Sequence, residues 1–139
     1  MLDIPRTDVP YASMGEFWTV KKFVRRNGKI PIDQWMQQKD TAPSQPRIDA
    51  KVSLIKRIET SQLLPAETVK KYKSTVLHEF KIKGTKVRAL CTIDEYQVIL
   101  LCGASKTGSG KGKLTKGDVT TGMNLLTEFS ANKKSVMDA

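Results

Sequence analysis

The chain has little of what several large classes of protein depend on. Its 139 residues include only two cysteines, Cys91 and Cys102, and both stand inside apolar runs. A disulfide-stapled secreted domain of this size would need more, so buried thiols in a reducing, cytoplasmic setting are expected. A single histidine, His78, excludes chemistry that needs two imidazoles and argues against a metal cluster. Long apolar stretches are missing too. The longest, Val98–Ala104, falls far short of the roughly 20 residues that cross a bilayer as a helix, and no membrane partner is expected. Met1 to Met14 carry neither the basic start nor the apolar stretch of a secretory signal.

Acid is also scarce relative to base. Lys and Arg total 24 against 14 Asp and Glu, a net charge of +10. Such an excess favours a polyanionic partner, either nucleic acid or an acidic protein. The charge is uneven: Ala66 to Lys116 holds 11 Lys/Arg and 4 Asp/Glu, so the polyanion is expected to meet this stretch.

The length fits one domain. Residues 1–15, with Pro5, Pro10 and Gly15, read as a flexible arm, and the folded domain is expected over 16–130. FWTVKKFVRR, from Phe17 to Arg26, places Trp18, Val20 and Val24 on one side of a strand, which Asn27-Gly28 closes with a turn. Pro31 suits a first helical turn, and Ile32, Trp35 and Met36 share one face at helical spacing. A longer helix follows from about Pro46 to Glu59, with Ile48, Val52, Ile55 and Ile58 as its stripe and Ser44 as a cap.

The second half changes period. In HEFKIK, His78, Phe80 and Ile82 alternate with Glu79, Lys81 and Lys83, which gives one core face and one mostly basic face. VRALCTI forms the next strand, and the unbroken apolar run in YQVILLCGA suggests a central strand covered on both sides. A last helix from about Asp118 shows Val119, Met123 and Leu126 on one face, with Thr115 and Asp118 as a capping box. Residues 131–139 read as a flexible tail. The fold class is therefore α+β: an antiparallel, twisted sheet in the order β-α-α-β-β-β-α.

GSGKGK at 108–113 looks like a phosphate-binding loop but is not one. That motif needs a glycine five residues before Gly110 and a hydroxyl after Lys111, whereas the chain has Ser105 and Gly112 there. His78 sits on the largely apolar side of its strand, so a core or strand-end role is expected for it. What remains is the basic set Lys81, Lys83, Lys86, Arg88, Lys106, Lys111 and Lys113. Lys81 and Lys83 share a face by period-two geometry, and a turn near Gly84–Lys86 would bring Arg88 beside them.

Read together, FVRRNGKIPIDQW, LHEFKIKGTKVRAL, YQVILLCGASK and a closing helix beginning GDV run in an order and spacing that resemble the phage-type branch of the RelE/HigB toxins. The likeness extends from Phe17 to Phe129. It implies the small RelE-like fold and a metal-free, cofactor-free mRNA interferase that acts on the ribosome and is restrained by a cognate antitoxin. It also implies roles. Lys81 corresponds to the lysine serving 2′-hydroxyl attack, Arg88 to the arginine on the scissile phosphate, and Lys106 to a basic residue facing that phosphate. Lys83 corresponds to an RNA contact, and Lys86, Lys111 and Lys113 extend the basic track.

The chain departs from the family pattern at Val87, where a tyrosine is frequent, and in having no tyrosine or histidine shortly after Lys106. Two further readings therefore stand beside the interferase: a non-cleaving module that binds RNA or an acidic protein, and a ParE-like gyrase inhibitor. Both RNA readings predict strong salt dependence. Neutralising about five phosphates gives a log–log slope of about −4 for affinity against salt, and fluorescence anisotropy with a labelled single-stranded RNA checks it.

Overall fold

A computed structural model describes residues 16–38, 45–65, 68–72, 76–81, 87–107 and 113–139. The expected arm, the expected cap Ser44, and Lys83, Lys86 and Lys111 lie outside the described residues. The elements run β1 (Thr19–Phe23), α1 (Pro31–Met36), α2 (Gln45–Ile55), β2 (Val69–Lys71), β3 (His78–Lys81), β4 (Val87–Asp94), β5 (Gln97–Thr107), β6 (Lys113–Leu114), α3 (Lys116–Ala131) and β7 (Val136–Asp138). The α+β class agrees with the sequence reading. The order is longer than expected by three short strands, β2, β6 and β7.

The strands form one sheet in the order β2-β3-β4-β5-β1-β7, with β6 paired to the end of β5. The expectation of a purely antiparallel sheet is corrected, because β1 lies parallel to β5 with Thr19 opposite Gln97 and Lys22 opposite Leu100. The physical reason is the helical passage. The chain leaves β1, crosses one face as α1 and α2, and builds the meander before β5 settles alongside β1. The expected central place of β5 holds: Val98, Ile99, Leu100 and Leu101 are all at most 2% exposed. Each such side chain stabilises the fold by about 1.5–3 kcal/mol through removal from water.

One face of the sheet carries α1 and α2, whose Ile32, Met36, Ile48, Val52 and Ile55 pack on Val20, Phe80, Ala89, Val98 and Leu100. The stripe expected for α1 is present, with Trp35 partly buried. α2 stops at Ile55 rather than near Glu59. Beyond it the Ile58 carbonyl accepts from Trp18 N at 2.9 Å, and Phe17 bridges to Glu59, so the chain is drawn off the helix axis toward β1.

α3 covers the other face, with Leu125 and Phe129 packed among Phe23, Leu90, Ile99 and Leu101. Its buried face differs from the expected one: Val119, Met123 and Leu126 are only partly buried, while Gly122, Leu125 and Phe129 are inside. Gly122 explains the rotation. A Cβ there would stand 2.9 Å from a Leu90 methyl and 3.1 Å from one of Leu77, so the missing side chain lets the helix axis close on the sheet. The Thr115 hydroxyl accepts from Asp118 N at 3.1 Å, which fulfils the cap read from the sequence.

The expected flexible tail is also corrected, since Val136–Asp138 pairs antiparallel with β1. Lys21 bonds Asp138, Ala139 N donates to Val20 O, and Val136 packs against the α3 cluster. Together these contacts satisfy an edge of β1 that the meander leaves open. Among the described residues no helix is long and apolar enough to cross a membrane.

At Gly103 the sheet and α1 come into close contact. A Cβ there would fall 1.6 Å from the Trp35 ring of α1, so Gly103→Ala cannot be absorbed without displacing that ring. Urea unfolding of Gly103→Ala should show a loss of about 3 kcal/mol, partly recovered when Trp35→Ala is added.

Candidate nucleic-acid interface

The β3–β4 pairing sets Lys81 directly opposite Arg88. Opposite residues of an antiparallel pair point to the same face, with Cα atoms about 4.5–5.5 Å apart. Arg88 is in turn opposite Ala104 of β5, and further along that strand Lys106 is opposite Leu114 while Thr107 is opposite Lys113. Four expected site residues therefore arrive at one end of the sheet from β3, β4, β5 and β6. For Lys106 and Lys113 only the backbone positions are described.

The face is not the uniformly basic one read from alternation. Glu79 shares it with Lys81, is opposite Leu90, and is buried to 3% exposure. α3 covers this side of the sheet, so the strand is enclosed on both faces at Glu79 and Phe80. Arg88 Nε lies 3.7 Å from Glu79 Oε1, with side chains 14% and 4% exposed. The guanidinium Nη1 also donates to the Val87 carbonyl at 2.8 Å. Burial raises the cost of leaving either charge uncompensated, so the pair fixes the direction in which Arg88 leaves its strand.

His78 falls on the opposite face from Lys81 and Arg88, facing Cys91 across the pair. It is half-buried, and its pKa is lowered by desolvation and by nearby Lys71, against a backbone hydrogen bond at Val76 that raises it. This agrees with a strand-end structural role. The thiols of Cys91 and Cys102 are free and buried. Burial raises both, Cys102 to about 12, so neither is a thiolate nucleophile at neutral pH. Among the described residues no cluster of His, Cys, Asp or Glu could hold a metal.

Sequence reasoning missed two features. Glu79 has the same parity as Lys81, so its position beside the basic pair was available, but its burial depends on α3. Arg25 and Arg26, read as the end of a strand, line a cleft of about 580 Å³. That cleft stands apart from Lys81 and Arg88.

Comparison with protein-family models, with curated proteins and with solved structures gives no match.

Arg88→Ala removes the guanidinium from beside the buried Glu79 carboxylate, so unfolding by urea should show a loss of about 3 kcal/mol. Glu79→Gln combined with Arg88→Gln should restore most of it. Equal stabilities for Arg88→Ala and the double variant would show that the pair carries no charge coupling.

Proposed function

We propose that this protein is an mRNA interferase toxin of the RelE/HigB type, which inhibits translation by cutting mRNA on the ribosome. The observation that carries the reading is the direct pairing of Lys81 with Arg88 at a sheet end that Lys106 also reaches. The strand and helix order is compatible with a RelE-like core to which β2, β6 and β7 are additions. In this reading the protein works in the cytoplasm, requires no metal, and is held inactive by a cognate antitoxin.

The chemistry needs three side chains in place. Lys81, as the free amine, accepts the 2′-hydroxyl proton, and the 2′-oxygen attacks the adjacent phosphorus. Arg88 neutralises the negative charge that builds on the non-bridging oxygens, a task suited to a planar guanidinium. The bond from phosphorus to the 5′-oxygen then breaks, Lys106 supplies the proton to the leaving oxygen, and a 2′,3′-cyclic phosphate remains. Glu79 is a positioning residue that orients Arg88. Ribosome binding supplies the backbone geometry of the message, an orientation effect worth up to roughly 7–11 kcal/mol.

A second reading, a non-cleaving RNA-binding module, is favoured by one specific arrangement. Arg88 is committed to Glu79 and to the Val87 carbonyl, and the only histidine lies on the other face.

Inducible expression in a bacterium decides between them. The wild type should arrest growth and create new mRNA 5′ ends inside translated regions. Lys81→Ala and the Glu79→Gln/Arg88→Gln pair should do neither while remaining folded. Normal growth and intact messages with folded, antitoxin-free wild type would leave the binding module.

A further inference from the structure

The cleft at the end of β1 is built from both layers. Val24, Arg25 and Arg26 come from the strand end, and Glu128, Asn132 and Ser135 from the end of α3 and the turn after it. Its walls are tied together. Val24 N donates to Ser135 O at 2.9 Å, Ser135 N donates to Asn132 O at 3.1 Å, and the Ser135 hydroxyl donates to Val24 O. The turn that follows β1 is fixed as well, with Gly28 at φ 83° and Lys29 N donating to Asn27 Oδ1 at 2.9 Å.

The two arginines differ in what they can do. Arg25 is held by both oxygens of Glu128, Nε to Oε1 at 3.2 Å and Nη2 to Oε2 at 2.7 Å. Its charge is largely answered, but its guanidinium plane is locked. A fixed guanidinium is a flat surface on which an unpaired base stacks. Arg26 is exposed, lines the same cleft, and has no ion pair with a described residue. Asn132 is exposed and offers an amide with both a donor and acceptor, the complement of a base edge.

Electrostatics separates a nucleotide from a bare anion. Glu128 and the carbonyl end of α3 make their side of the cleft unfavourable for a phosphate. Arg26 makes its own side favourable for one. A ligand with a neutral ring and a single phosphodiester fits that division, and about 580 Å³ lies within the range of small-ligand sites.

Position links the cleft to the basic pair. Because β1 runs parallel to β5 and β4 runs antiparallel to β5, β1 ends pointing toward the side of the sheet where β4 begins: its last pair with β5 is Lys22–Leu100, and Arg88 pairs further along β5 at Ala104. Phe23 belongs to the α3-side cluster, as do Leu90 and Ala104, which flank Arg88 along and across the strands. We infer that this cleft binds one nucleotide of a single-stranded RNA, with its base on Arg25 and Asn132 and its phosphate on Arg26. The inference rests on the RNA reading above and adds a subsite for a nucleotide away from the scissile bond.

Titration of the full, isotope-labelled chain with uridine 5′-monophosphate, followed by amide NMR, tests it. The amides of Arg25, Arg26, Asn132 and Ser135 should shift. Arg26→Glu, an exposed change, should weaken this binding tenfold or more with the rest of the spectrum preserved. The Glu79→Gln/Arg88→Gln pair should leave it within twofold. No shift at these amides, or the same affinity in Arg26→Glu, overturns the subsite even if expression cuts mRNA. Conversely, Arg26-dependent shifts in a protein that neither arrests growth nor cuts messages would uphold the subsite and remove the interferase reading.

Discussion

The enclosure of β5 is the constraint on which the rest of the structure depends. A strand whose consecutive residues Val98 to Leu101 are all buried needs a cover on each face and a neighbour on each edge. α1 and α2 supply one cover and α3 the other, while β4 and β1 supply the neighbours. The register break between Leu90 and Cys91 serves the same end. It lets Leu101 and Cys102 both join the α3-side cluster although they are consecutive, as an extra residue on one strand of a pair permits.

That enclosure shapes the basic sheet end. Covering the Lys81–Arg88 side with α3 brings Glu79 out of water, and a carboxylate so placed needs a cation. Arg88 meets that need from the neighbouring strand. One arginine thus has a structural tie through Nε and lies in the row that carries the functional proposal. Lys81, half-buried at the strand end, is set by its register with Arg88 and by its amide, which donates to Thr68 O at 3.2 Å.

Much of this was legible in the sequence where periodicity was strong. The unbroken run in β5 announced a central strand, and Ile32, Trp35 and Met36 announced the inward face of α1. The turn and the cap were readable from Asn27-Gly28 and Thr115. The rest was not legible because it depends on distant contacts. Gly122 turns α3 by packing on Leu77 and Leu90 from two other elements. β2 and β7 are three residues each, too short to show a period. The pairing of Lys81 with Arg88 followed from the hairpin, but the burial of Glu79 required knowing where α3 lies.

The arrangement of strand lengths has a consequence for how the molecule behaves in a crowded solution. The long apolar strands β4 and β5 are interior to the sheet, and its borders are the three-residue β2 and β7. β2 shows exposed Lys70 and Lys71, and β7 shows exposed Asp138. Short, charged borders give a neighbouring chain little backbone to pair with. A protein with this much aggregation-prone strand is thereby protected against edge-to-edge growth while it is folded.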